Sequence, residues 1–547
     1  MIQEFILQSG IGSAEVVRWG WIFLIGYVAL MLGFGYWGYK RVEGGGGGGS
    51  SSQDEYATAR GGFGFLALAL AYAATVASGA TFMGIPALGY SVGFKAGYYA
   101  MLYPIGIFGG MLIVARVSKK VGDRFNSQSV PDFLGDRFQA PGLRVITALL
   151  SLFLLFYAMA QITAAGQMFD VILGVEYGRG IWIAGGLLLL YLSLGGSHAD
   201  ILTDAVQGGM MVAITVLIFI MFLIGFGMDG GIGAVNAALD GSLQWDSHTN
   251  TDSPVFHSWW AILLLVIGHI GFTAQPHLGN KFFAIKSNRY IRRFMLVASV
   301  VGIFLPLMYL GGVLGAAQGI EVEAADQIIP MLFVQSFHPI VAAFLGVAIL
   351  SAIISTADGL IIALSQIFAN DLYRKSYVPW QGGDPEDEDV LQRTLLISRI
   401  STVALVIAAV LAVMTPPEFL VILLWTGIGG IISSFGGPYM IGSLWRRTTV
   451  PAAYAATILG FLVFFGLHLG PQAGLFEGIY PFNQNPFAST GIGFTVSVAT
   501  TFAVSFVTDP PSDEHLEKVF SAEERLVQQS EGSSAPGPED PAPSDDD

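Results

Sequence analysis

Ser355 and Thr356 stand side by side in an otherwise apolar run, Leu350 to Asp358. Hydroxyls placed among lipid-facing residue types need a partner, and a dehydrated Na⁺ is one that neutral oxygens can serve. Ala352 lies three residues earlier on the same helical face, so its carbonyl points to the same patch if the helix loosens there. The competing assignment is plainer: Ser and Thr in a membrane helix often bond back to the preceding turn. Tyr157, Gln161 and Thr163 recur at helical spacing, and a buried amide such as Gln161 has to bond either to a neighbouring helix or to a solute. Ser78, Thr81, Phe272, Thr273 and Gln275 are the other polar or aromatic candidates for solute contact. No nucleophile-and-base pair and no set of ligands at metal spacing occurs, so the chain is not expected to be an enzyme.

These residues have to be held by membrane helices. Of the 547 residues, 53% are hydrophobic and only 12% are charged. Apolar runs repeatedly reach the ~20 residues that cross a bilayer, and about thirteen spans are predicted between residues 16 and 507. The second covers 63–89, the fourth 143–171, the fifth 180–195, the sixth 201–228, the seventh 258–275 and the ninth 338–370. Sorting Lys and Arg into alternate loops puts all but Arg18, Lys95 and Arg179 on one side. That asymmetry predicts a multi-pass protein of the cell membrane with its N-terminus outside and its C-terminus in the cytoplasm.

The first apolar segment is too long for a signal-peptide core and no small-residue cleavage site follows, so it reads as a retained span. Zero Cys excludes disulfides and thiolate metal sites. The net charge of −15 fits either an acidic surface adapted to high salt or simply a solvated tail. The organisation expected is an N-terminal span at 1–42, a Gly/Ser-rich flexible cytoplasmic linker at 43–62, a helical core at 63–443, further spans at 444–508, and an acidic tail at 509–547. That tail is rich in Asp, Glu, Pro and Ser and is expected to be disordered apart from a short helix around 513–529. Many of the 70 glycines fall inside spans, where they permit close packing and also broken helices.

Five segments, in order, carry a resemblance. They are Ala73 to Tyr90 in span two, Tyr191 to Gln207, Gln275-Pro276-His277 with Lys281 to Ser287, Ser351 to Asp371 with Asn370-Asp371-Leu372-Tyr373, and Trp425 to Arg447. Together they resemble the sodium:solute symporter family, in its proline, pantothenate and monocarboxylate branch, over roughly residues 15 to 507. The resemblance implies an all-α membrane protein with a LeuT-like five-plus-five inverted repeat and two broken helices, spans two and seven. It also implies a Na⁺ site formed by the backbone carbonyls of Ala74, Ala77 and Ala352 and the hydroxyls of Ser355 and Thr356. Five neutral oxygens suit a hard monovalent cation, whereas proton coupling would call for a titratable group in the site. In the second segment Gly195 and Gly196 are expected to make a tight cytoplasmic turn. Asp204 just after it is a gating candidate, with a capping or anchoring acid as the plainer assignment. His277 reads as a hydrogen-bonded helix-end residue rather than a metal ligand.

The solute is constrained by departures from the family pattern. Proline carriers have an Asp where this chain has Val76, and a Trp and a Tyr where it has Gly268 and Phe272, so proline is not the expected solute. The sugar carriers' polar set in span two is missing as well. A neutral site of hydroxyls, amides and helix N-termini favours a small organic anion such as a monocarboxylate. The expectation is Na⁺-coupled import by alternating access, with the lipid bilayer, Na⁺ and a small organic solute as partners, no nucleic acid, and a monomeric carrier. Amino-acid or pantothenate import stays open, as does a transceptor that senses solute without moving it. A channel is not expected, because no loop supplies a selectivity filter.

Overall fold

The computed structural model describes residues 13–43, 63–249, 253, 255–285, 288–415, 420–475 and 485–520. The expected linker at 44–62 and the tail beyond Phe520 lie outside the described residues. Among those described no strand forms, and a single bridge joins Phe63 to Ile285. The first helices are α1 (Ser13–Glu43) and α2 (Phe65–Val76), followed by a π-helical turn at Ala80–Gly84 and α3 (Ile85–Val92). Then come α4 (Ala96–Phe125), α5 (Val130–Phe138), α6 (Pro141–Ser151), α7 (Leu154–Leu173) and α8 (Tyr177–Ile224). A second interrupted segment is made of α9 (Trp259–Ile270), a 3-10 turn at Gly271–Ala274 and α10 (Pro276–Phe283). The chain continues through α11 (Asn288–Phe304), α12 (Tyr309–Ala317), α13 (Ile328–Ser336) and α14 (Pro339–Gln366), which runs on as a π-helix to Tyr377. It closes with α15 (Glu388–Ala412), α16 (Leu420–Gly436), α17 (Val450–Leu469), α18 (Pro486–Val507) and α19 (Asp513–Phe520).

Nine helices among the described residues are long and apolar enough to cross a membrane, and ten if the bent α9–α10 pair counts as one span. α2, the first half of α8 and α16 fall short of that length, which is why the expectation of about thirteen spans exceeds this number. Burial separates the helices by role. In α14 and its continuation 83% of the apolar window is covered by protein, against 22% in α15 and in α1, so α14 is central and the other two face lipid.

Gly195 and Gly196 make no turn, because one helical stretch runs from Tyr177 to Ile224. Glycine costs only about 1 kcal/mol in a helix interior, too little by itself to end a helix. At ~1.5 Å per residue these 48 residues extend about 72 Å, more than a bilayer core, and the part that meets the spanning criterion is Asp200–Ile224.

The short amphipathic helix α5 is bolted to the end of α14 by charge. Arg144 pairs with Asp132 at 3.1 Å and with Asp136 at 2.8 Å, Lys375 pairs with Asp132 at 2.6 Å, and Ser129 bonds Asp371 at 2.5 Å. On the same face α19 lays Leu516 and Val519 against the protein, and His515 meets the Arg137 carbonyl at 2.9 Å.

At the other end of the bundle Asp326, 1% exposed, accepts from the Leu420 N–H at 3.2 Å and so holds the start of α16 to the turn before α13. Burial pushes this carboxyl up from its usual 3.8 to about 7, against the pull of the Leu420 N–H. The folded chain therefore holds the proton more tightly than the unfolded chain. The stabilisation is complete below 3.8 and is lost as pH rises through about 7. Thermal unfolding in detergent is expected to shift downward from about pH 5 to about pH 8, and Asp326→Asn, which keeps a carbonyl for Leu420, to flatten that slope. An unchanged slope in the variant would contradict the assignment.

Candidate functional site

The first break begins where α2 stops at Val76. Ala77 leaves helical geometry at φ −85° and ψ 70° while its N–H still reaches the Ala73 carbonyl at 2.8 Å. One turn later the Thr81 N–H bonds the Ser78 carbonyl at 2.8 Å instead of the Ala77 carbonyl. The chain tolerates this because α7 supplies a replacement partner: the Gly79 N–H donates to Gln161 Oε1 at 2.9 Å. A Cβ on residue 79 would stand 2.8 Å from that oxygen, so only glycine admits the amide. Gln161 Nε2 is buried and has no hydrogen-bond partner. Ser78 Oγ accepts from the Ala80 N–H at 3.2 Å, Tyr157 bonds Ser78, and Thr81 shares a 3.4 Å contact with the Tyr103 hydroxyl. Thr163 instead bonds back to Met159 at 3.0 Å within its own helix.

α14 packs against α2. Ser355 Oγ and Thr356 Oγ1 both donate to the Ala352 carbonyl, at 3.1 and 3.2 Å. This is the back-bonded geometry, yet a hydroxyl that donates keeps its lone pairs for a cation. Ala74, Ala77, Ala352, Ser355 and Thr356 are each 2% exposed or less. Their oxygens are neutral, hard donors on two adjoining helices, the kind that replaces the hydration of Na⁺ without a fixed charge, and the Ala352 carbonyl is at present taken by the two hydroxyls.

The second break bends α9 against α10 by 55°. Gln275 is the hinge, with φ −72° and ψ 135°, and Pro276 opens α10 at a position where its missing N–H costs nothing. The Gln275 side chain is fully buried and neither amide atom has a partner. Thr273, expected to face solute, bonds the Ile107 carbonyl of α4 at 3.4 Å. Phe272 lies 6.0 Å from the Trp425 ring. His277 departs from expectation: it is 2% exposed, both ring nitrogens lack hydrogen-bond partners, and its ring meets Tyr157 edge-on at 5.5 Å. It does stand at a helix end, second in α10, but without the expected hydrogen bond. No group of three or more His, Asp or Glu among the described residues could hold a metal.

Beyond the break, α10 carries Lys281 into the protein at 3% exposure. Its ammonium bonds Asp200 at 2.5 Å and Asp204 at 2.9 Å, and Asp204 also accepts from Thr75 of α2 at 3.0 Å. Asp204 is therefore no interfacial capping or anchoring acid, since α8 continues through it and buries it to 1% exposure. Asp358 of α14 adds a buried carboxyl whose Oδ1 has no partner. The sequence carries a signal for this cluster, since ionisable groups within apolar helices are costly and come in partnerships. The same signal marks His269 within α9.

Removing one partner of a buried pair typically costs ~3–5 kcal/mol, because the other charge stays behind. Lys281→Met is expected to lower the melting temperature of the detergent-solubilised protein sharply. Adding Asp204→Asn to it should recover part of the loss, with a coupling of ~1 kcal/mol or more. Additive losses in that double-mutant cycle would show that the three groups do not act as a unit.

The comparisons with known proteins agree with this architecture. The chain is 29% identical over 503 residues to the high-affinity proline transporter PutP of Bacillus subtilis, covering 88% of this chain and 97% of that one. It is 26% identical over 403 residues to the sodium/pantothenate symporter of Haemophilus influenzae, covering 72% and 80%. Among solved structures, a substrate-bound, outward-open Na⁺-coupled sialic acid symporter superposes with a TM-score of 0.69 at 20% identity, over 90% of this chain and 99% of that one, which shows the shared fold. The family model matches residues 56–460, and the chain belongs to the sodium:solute symporter family.

Proposed function

We propose that this carrier imports a small organic acid of the monocarboxylate class, one molecule at a time, with Na⁺ held between the first break and α14. The observation that carries the reading is the character of the groups left over at the two breaks. Gln161 Nε2 and the whole Gln275 amide are buried without partners. Amide N–H groups can donate to a carboxylate, and backbone N–H groups at the start of a helix do the same. Ser78, Thr81 and Tyr157 supply hydroxyls at the first break. Phe272 closes the site with an apolar face.

The solutes named for the relatives, proline and pantothenate, are themselves carboxylic acids, which supports the acid end of the proposal. Their names also favour a second reading, an amino acid or a pantothenate-like acid. Val76, Gly268 and Phe272 argue against proline itself, since the carboxylate, the indole and the phenol hydroxyl of the proline carriers are absent there.

In the mechanism, Na⁺ enters first and ties Ala74 and Ala77 to Ala352, Ser355 and Thr356. The ion raises the population of the state it binds best, solute joins between the breaks, and the bundle rocks to the other side. The ion pair of Lys281 with Asp200 and Asp204 joins α10 to α8, and Asp204 carries the link on to Thr75 of α2. Asp204 thus acts as a gate residue that must part or slide when the far side opens. A potential of about 100 mV supplies ~2.3 kcal/mol per net charge moved, so the first Na⁺ only balances the carboxylate's charge and each further Na⁺ adds about fiftyfold accumulation.

Replacing Ser355 and Thr356 together by Ala is expected to raise the Na⁺ concentration for half-maximal uptake by ~10-fold or more, since each lost ligand to a charged group is worth ~1.5 kcal/mol or above. The measurement is Na⁺-dependent uptake of radiolabelled short-chain acids into proteoliposomes. Uptake with an unchanged Na⁺ requirement in a well-folded double variant would move the ion elsewhere. Uptake that ignores an inward Na⁺ gradient would end the coupling model.

A further inference from the structure

His269 is fully buried in α9, two residues before the second break. Five aromatic rings surround it: Trp425 at 4.4 Å between centroids, Tyr99 at 5.2 Å, Tyr103 at 5.6 Å, Phe487 at 6.0 Å and Phe272 at 6.2 Å. This cage touches both breaks, because Tyr103 bonds Thr81 on the π-helical turn and Phe272 lies in the 3-10 turn. Its other polar tips are paired. Trp425 Nε1 donates to the Tyr99 hydroxyl at 3.4 Å, and the Tyr103 hydroxyl shares its contact with Thr81. His269 Nε2 is buried and has no partner.

The other ring nitrogen decides what Nε2 can do. Nδ1 lies 2.7 Å from the Leu265 carbonyl, which only accepts, so Nδ1 carries the hydrogen. A buried charge without a counter-charge is costly, and no carboxylate acts on this ring. The imidazole is therefore neutral and presents Nε2 as a lone pair. A lone pair repels a carboxylate and calls for an O–H or N–H. The surrounding ring faces also favour a positively charged amine.

We infer that His269 reads a hydrogen-bond donor on the solute, so that the transported acid carries a hydroxyl or amino group beside its carboxylate. The inference rests on the carboxylate reading above and narrows it. Donors left over at Gln161 and Gln275 take the acid end, and the acceptor at His269 takes the hydroxyl or amine. The favoured class is 2-hydroxy and 2-amino acids, and plain short-chain fatty acids are rejected because they leave Nε2 unpaired. A site that hydrogen-bonds a substrate group discriminates strongly against the analogue lacking it.

The test compares Na⁺-driven uptake of labelled L-lactate, L-alanine and propionate, which share a three-carbon frame and differ at one position, into proteoliposomes. Wild type is expected to prefer at least one of the two donor-bearing acids to propionate by ~10-fold or more in kcat/KM. His269→Phe, which keeps a ring and removes the nitrogen, is expected to bring that ratio to within about twofold of one. His269→Gln, which restores an acceptor, should recover most of the preference. Equal handling of the three acids by wild type overturns the inference and leaves the carboxylate reading standing. So does a preference that survives in His269→Phe, or one that His269→Gln loses as completely as His269→Phe. If wild type moves none of the three, the carboxylate reading itself falls and this inference with it.

Discussion

Peptide groups inside a hydrocarbon layer must be satisfied by the protein itself, and a helix opened at that depth survives only where other side chains cover it. Both interrupted helices here meet that condition in different ways. At the first break the covering group is Gln161, whose carbonyl oxygen takes the Gly79 amide, with glycine needed because any Cβ would collide. At the second, Pro276 removes one donor outright and Gln275 turns the chain. The heavily buried α14 is the wall against which this works, and α2 packs on it.

What the breaks leave unsatisfied is the chemistry of the carrier. Gln161 Nε2, Gln275 and His269 Nε2 are buried polar atoms without partners, close to the two openings. Such groups cost stability unless a ligand meets them. The far side of the breaks is organised by opposite means. There Lys281 is clamped by Asp200 and Asp204, a short-range ionic link that holds α10 to α8 and, through Thr75, to α2. In the proposed mechanism the neutral unpartnered groups receive the solute, and the paired charges form the link that has to part.

Much of this was legible in the chain. The apolar runs and the small residues from Ala73 to Pro86 announced the membrane fold and its first break, and Gln275-Pro276 announced the second. Gln161 stood out because an amide in an apolar helix needs a partner. The misses have physical causes as well. Gly195 and Gly196 looked like a turn, but glycine costs a helix interior only about 1 kcal/mol. Asp204 looked like a cap because sequence shows nothing of the Lys281 that is folded onto it from 77 positions away. Lys281 itself looked like a cytoplasmic charge. Thr273 was assigned to solute although its hydroxyl turns to α4, a choice of rotamer that no spacing reveals.

The central claim is that Na⁺ bridges the opened end of α2 to α14. Backbone hydrogen exchange of the purified carrier, followed with Na⁺ and with equimolar K⁺, reads that bridge without any knowledge of the solute. The account predicts slower exchange across residues 74–84 and 350–358 in Na⁺ than in K⁺, with the difference abolished when Ser355 and Thr356 are both Ala. Equal protection in the two salts would contradict it.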